Sequence, residues 1–134
     1  MAKLEAVEGI GQAFAALLRK AGVGSTDGLL AAAAAARDRQ ELARQTGIAE
    51  AKILEWVNRV DLFRIKGVGE EYSDLLEAAG VDSVPELARR NAANLAQKVA
   101  EVNGAKKLVR RLPTENQLAD WVAQAKDLPK VVTH

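Results

Sequence analysis

An internal repeat constrains this chain more than any other feature of its sequence. Val7-Glu-Gly-Ile-Gly11, with Phe14, Leu17, Leu18, Ala21-Gly-Val23 and Leu29 behind it, returns 58 residues later. The second copy reads Ile65-Lys-Gly-Val-Gly69, then Tyr72, Leu75, Leu76, Ala79-Gly-Val81 and Leu87. Further on, Ile53-Leu-Glu-Trp-Val57 matches Leu118-Ala-Asp-Trp-Val122 at an offset of 65 residues. The larger offset places a short insertion inside the second copy. The chain is therefore read as a duplicated unit, 1–63 and 64–134, and its 134 residues leave room for two very small domains at most.

Within each copy the apolar period is helical. Phe14, Leu17, Leu18 and Ala21 share one face, as do Tyr72, Leu75, Leu76 and Ala79. Gly22 and Gly80 stand where a left-handed residue ends a helix, and Gly47 ends another that covers about 37–46. A longer helix is expected over about 49–62. Ser83 with Glu86, and Thr114 with Gln117, are capping-box pairs, and Pro85 fits a first helical turn. The alanine run Ala31–Ala36 reads as a good helix former. No segment alternates like a strand, so the expected fold is all-α, with about four to five short helices in each copy. No Pro/Ser/Gly-rich linker separates the copies, which are expected to pack rigidly and to unfold together.

Apolar-x-Gly-apolar-Gly between two amphipathic helices is the helix-hairpin-helix pattern. It occurs at Gly9-Ile10-Gly11 and at Lys66-Gly67-Val68-Gly69. Two glycines allow a tight turn, the apolar residue between them fills the angle between helices, and amides at the next helix start face outward as an anion site. Thr46-Gly47-Ile48 marks a further hairpin, and its counterpart at Leu112-Pro113-Thr114 has lost the glycine. Each half resembles the paired helix-hairpin-helix (SAM-like) domains of DNA-repair proteins, recombinases and the bacterial RNA polymerase alpha subunit. The whole chain is similar to an uncharacterised bacterial family, a domain of unknown function built from such repeats. The matching elements include Thr46-Gly-Ile-Ala-Glu50, Ile53-Leu-Glu-Trp-Val-Asn58, Leu75-Leu-Glu-Ala-Ala-Gly-Val81 and Leu108-Val-Arg-Arg-Leu-Pro113. The resemblance implies two tandem helix-hairpin-helix pairs packed together, and contact with DNA phosphates that reads no base.

Charge is polarised although the net charge is only +1. Ile65–Glu86 holds six acids against Lys66, and Arg89–Arg111 holds seven cations against Glu101. The candidate nucleic-acid contacts are Gly9, Ile10, Gly11 and Gln12, with Arg19 and Lys20 one to two turns further along. The cluster Lys106, Lys107, Arg110 and Arg111 joins them, expected on one helix face. Glu70 and Glu71 follow the second turn and would repel phosphate. Lys66, Gly67, Val68 and Gly69 are thus read as a structural turn, whereas the first turn suits structure and phosphate binding equally. Gly11 and Gly69 are the glycines expected to adopt a conformation closed to other residues. Trp56 and Trp121, at equivalent positions, are read as twin core anchors, with Phe14 and Tyr72 beside them.

Composition narrows the function classes. Cys is absent and the one His is the last residue, His134, so neither thiol nor imidazole catalysis is expected. No metal or cofactor is expected, and neither a Walker nor a dinucleotide glycine pattern occurs. No apolar run suits a membrane span or a signal peptide, so a cytoplasmic protein without a membrane partner is expected. The leading expectation is a non-enzymatic, sequence-tolerant module for double-stranded DNA. The alternative is a protein-interaction adaptor, or self-association of basic block on acidic block.

Overall fold

Each copy of the repeat becomes four helices, and most of their ends lie where the sequence punctuates them. In the computed structural model, which describes residues 3–133, a short 3-10 turn over Leu4–Ala6 precedes α1 (Gln12–Lys20), α2 (Thr26–Ala33), α3 (Ala36–Thr46) and α4 (Glu50–Leu62). The second set is α5 (Glu70–Ala78), α6 (Val84–Ala88), α7 (Ala92–Lys106) and α8 (Glu115–Asp127). The fold is all-α, with no strand among the described residues. His134 lies outside them.

α1 and α5 begin 58 residues apart, and α4 and α8 begin 65 apart, matching the two offsets of the sequence repeat. The extra residues therefore fall after the start of α7, which has 15 residues against 11 in α3, and in the connection from α7 to α8. Residues 47–49 connect α3 to α4, whereas 107–114 make the equivalent connection in the second copy.

The glycine punctuation works as helix chemistry requires. Gly22 (φ +90°) and Gly80 (φ +92°) take the left-handed residue after α1 and α5. Behind them Val23 N–H donates to Leu18 O at 2.9 Å, and Val81 N–H to Leu76 O at 2.8 Å. These are Schellman closures, and the two valines and two leucines that face across them are buried. Gly47 (φ +75°) also ends α3 left-handed, but by a single bond from its N–H to Ala43 O at 2.8 Å, and Ile48 N–H donates instead to Thr46 Oγ1. Thr114 and Gln117 complete a reciprocal capping box at α8, and Ser83 Oγ accepts from Glu86 N–H at α6.

Two compact units result, one formed by Met1–Asp61 with Lys130–His134 and the other by Leu62–Pro129. The segment 130–134 belongs to the first unit. Thr133 is the reason. Its N–H donates to Ala34 O at 2.9 Å, and its Oγ1 accepts from Ala36 N–H at 3.1 Å. Its carbonyl also accepts from the Arg39 guanidinium. Ala35, the residue at the N-cap of α3, has no side-chain acceptor to offer, so Thr133 supplies the cap from 97 residues away.

The same contacts correct the reading of the alanine run. Helix α2 stops at Ala33 and α3 starts at Ala36, so Ala31–Ala36 is broken in the middle. Arg39, only 2% exposed, donates to Ala33 O at 3.1 Å and Ala34 O at 2.7 Å. Those carbonyls find a buried cation in place of the next helical turn.

In the first unit Leu4, Leu18, Leu29, Ile53 and Trp56 are buried, together with Val132 of the terminal segment. In the second, Leu62, Ile65, Leu75, Leu87, Leu95 and Trp121 belong to one core cluster, where α6 and α7 pack on α8.

Candidate nucleic-acid interface

The two glycine turns are built alike around a tryptophan. Ile10 and Val68, between the paired glycines, are buried as plugs at 3% and 4% exposure. Trp56 and Trp121 are 2% exposed, with Phe14 and Tyr72 tilted against them at ring-centroid distances of 5.2 and 5.3 Å. All four aromatics are structural, as the repeat implies. The strained glycine, however, is the first of each pair. Gly9 has φ +93° and Gly67 φ +98°, while Gly11 (φ −84°) and Gly69 (φ −103°) are ordinary extended N-caps. A Cβ at Gly67 would stand 2.9 Å from Trp121 Nε1, and one at Gly9 would stand 3.2 Å from Trp56 Nε1. Nothing lies within 4 Å of a Cβ at Gly11 or Gly69. The expectation about Gly11 and Gly69 is thus corrected: an N-cap needs extended backbone, and the reversal of direction occurs two residues earlier.

At the start of α1, Gly11, Gln12 and Ala13 are exposed, no side chain caps the first turn, and no acid lies in it. The amides there face outward. Lys52 Nζ lies over the ring of Phe14 on α1, 5.7 Å from its centroid, a contact which the sequence reading did not single out. Arg19 and Lys20 stand at the opposite end of this nine-residue helix, roughly 12 Å from its start at ~1.5 Å per residue. Arg19 is held by Glu5 through Nη2–Oε1 at 2.9 Å and Nη1–Oε2 at 3.2 Å. That bond lowers the Glu5 carboxyl below its usual range and raises the Arg19 guanidinium. Lys20 borders a groove of about 380 Å³ with Leu17, Ala21, Gln45 and Thr46. The structure therefore does not gather Arg19 and Lys20 with the first-turn amides.

The second turn is tied down. Lys66 N–H donates to Gln124 Oε1 at 2.8 Å, and Gln124 Nε2 returns a bond to Lys66 O at 3.2 Å. Gln124 was missed by the sequence reading, since a glutamine on an exposed helix face carries no signal of its own. Glu70 and Glu71 occupy the first turn of α5, where they suit the helix dipole, and neither caps an amide through its side chain among the described residues.

The four cations of the second unit lie on the insertion and at the helix end before it. They do not share a helical face, which corrects the expectation. α7 ends at Lys106, and Lys107 turns left-handed (φ +52°) with its N–H on Asn103 O at 2.8 Å. The Asn103 side chain then grips Val109 at both ends, accepting from its N–H at 2.9 Å and donating to its carbonyl at 3.0 Å. Val109 enters the core, and Tyr72 Oη donates to Arg111 O at 3.1 Å. With the backbone pinned, Lys106, Lys107, Arg110 and Arg111 are all exposed. None of the four side chains is paired with an acid among the described residues. Leu108 and Leu112 are exposed among them, at 36% and 39%.

Among the described residues no cluster of carboxylates or other donors could hold a metal ion, and no helix is long and apolar enough to cross a membrane. No curated protein and no solved structure matches the chain. One family model does, described as a domain of unknown function, and it matches residues 1–128. With nearly the whole length matched, the chain belongs to the DUF4332 family.

Proposed function

We propose that this protein is a non-enzymatic, sequence-tolerant module for double-stranded DNA, a tandem helix-hairpin-helix protein that grips backbone phosphates. One observation carries the reading. The insertion that separates the second copy from the first presents, with the helix end before it, four exposed cations with no acidic partner among the described residues. The first copy completes the same four helices with residues 47–49 alone, so the longer connection is not needed for the helix pattern. A pinned backbone under exposed cations suits phosphate contact, because little side-chain or loop order must be gained on binding. The open first turn of α1, with Lys52 over the Phe14 ring, is a second phosphate-binding surface of the same kind.

Labelled duplex titrated at two salt concentrations tests this. Affinity should be on the order of micromolar and should fall steeply with salt as counterions leave the duplex. Replacing Lys106, Lys107, Arg110 and Arg111 with Gln should flatten the log–log salt slope by roughly three to four units. Undetectable binding at low salt, or a slope untouched by the four substitutions, overturns the reading.

An adaptor that binds a protein is the rival, and two observations favour it. Glu70 and Glu71 sit in the first turn of α5, and Glu5 holds Arg19. Changing Glu70 and Glu71 to Gln separates the readings. It strengthens a phosphate contact and leaves an apolar docking surface unchanged.

A further inference from the structure

The insertion carries more than charge. Leu108 and Leu112 are two of the most exposed large apolar residues described, and both stand on the same connection as Lys107, Arg110 and Arg111. An exposed leucine alone means nothing. Here Leu108 stands between Lys107 and Arg110, and Leu112 follows Arg111, on a connection longer than the one between α3 and α4. The backbone beneath is fixed by Asn103 on Val109, by Tyr72 on Arg111 and by the Thr114–Gln117 box. A pinned loop with two partly exposed leucines beside cations has the form of a wedge.

We infer that this loop enters the minor groove of the duplex and presses Leu108, Leu112 or both against a base step, partly unstacking it, while the neighbouring cations Lys106, Lys107, Arg110 and Arg111 hold phosphates beside that step. The inference rests on the DNA-binding reading and deepens it. The chemistry fits the dimensions. Three residues separate the two leucines, so their Cα atoms lie at most ~13 Å apart over four steps of chain, within about four base steps at ~3.4 Å each. Leucine is among the side chains that proteins use to open a step, and the cost of unstacking is offset by extra contact on the bent duplex. An anionic membrane would also attract cations and leucines. It calls for a broad apolar helical face, however, and this connection is not helical and offers two half-exposed side chains.

The test uses the full chain, a duplex carrying 2-aminopurine, and the same duplex end-labelled for energy transfer. Binding should raise 2-aminopurine fluorescence and shorten the end-to-end distance. Leu108→Ser with Leu112→Ser should abolish both signals, leave the melting temperature unchanged and keep the native salt slope. Lys106, Lys107, Arg110 and Arg111 changed together to Gln should flatten that slope. Duplex binding with neither signal, or with signals indifferent to the leucines, overturns the wedge and leaves the phosphate reading intact. Absence of any duplex binding overturns both. Leucine-dependent binding to vesicles of phosphatidylserine and phosphatidylcholine, without a 2-aminopurine response, overturns the wedge in favour of a lipid surface.

Discussion

The first unit joins its third and fourth helices with residues 47–49, and the second uses 107–114 for the same purpose. In the first, Gly47 takes the left-handed position after α3 at no steric cost. In the second, Lys107 takes it, a conformation that is uncommon for a residue with a side chain, and Asn103 secures the loop at Val109. The units differ again at the N-termini of their third helices. α7 is capped by its own Asn91, whose side chain accepts from Asn94 N–H, whereas α3 borrows Thr133. One four-helix pattern is thus completed in two ways. The first unit draws on a distant piece of chain, and the second caps its third helix locally and carries a longer connection whose Val109 enters its core.

Arg39 gives the largest expected break in that comparison. It is buried and donates to three carbonyls, those of Ala33, Ala34 and Thr133. Arg39→Leu should cost roughly 3 kcal/mol, because those acceptors lose a charged donor without gaining water. Gln97, exposed on α7, is the control, and Gln97→Leu should lie within about 0.5 kcal/mol of the native chain. Thr133→Val removes only the cap on α3 and should cost about 1 kcal/mol. Denaturant unfolding measures all three. Hydrogen exchange at Ala36 should quicken in Thr133→Val, and an unaltered rate would show that the terminal segment is not holding α3.

The glycine turns sharpen the comparison at a smaller scale. Gly67→Ala meets both a positive φ and Trp121 Nε1 at 2.9 Å, and should cost roughly 2–3 kcal/mol. Gly9→Ala meets a similar φ with a looser approach to Trp56 and should cost about 1–2 kcal/mol. Gly11→Ser and Gly69→Ser should be neutral or gain a few tenths of a kcal/mol, since serine adds an N-cap acceptor to extended backbone in open space. Equal losses at all four positions, read as melting temperatures, would remove the distinction between first and second glycine.

These positions also show what the sequence made legible. The repeat and its two offsets located the helices, because apolar period, Schellman glycines and capping boxes are local signals. Gly9 and Gly67 were passed over in favour of Gly11 and Gly69, since the motif names both glycines and only the backbone tells which one reverses the chain. The alanine run broke against local propensity, as the contacts that stop it come from Arg39 and from a threonine 97 residues away. Of the candidate site, the cation cluster was legible from composition. Its shape was not, because a lysine in the left-handed position and an asparagine clamp leave no pattern that a helical period would reveal.

The smallest expected effect concerns acid. Glu5 bonds Arg19 in the first unit, and the uncharged Phe63 stands at the place of Glu5 in the second copy. The Arg19 guanidinium holds the Glu5 carboxyl below its ordinary value, so folding favours the ionised form. The stability this contributes is present above the unfolded pKa and is lost as pH falls through the lower folded pKa. Both partners are exposed, so water and salt screen the pair and its contribution is small. Glu41, held low by Arg44, shifts stability in the same direction. A whole-chain acid profile therefore does not isolate Glu5. The difference between native chain and Glu5→Gln does, because Glu41 is common to both. Glu5→Gln should melt slightly lower at pH 7, and the gap should close as pH falls below the normal carboxylate range. Added salt should narrow it at pH 7 as well. A gap that stays constant from neutral to acid pH would show that the Glu5 carboxylate contributes nothing specific to holding the first turn of chain against α1.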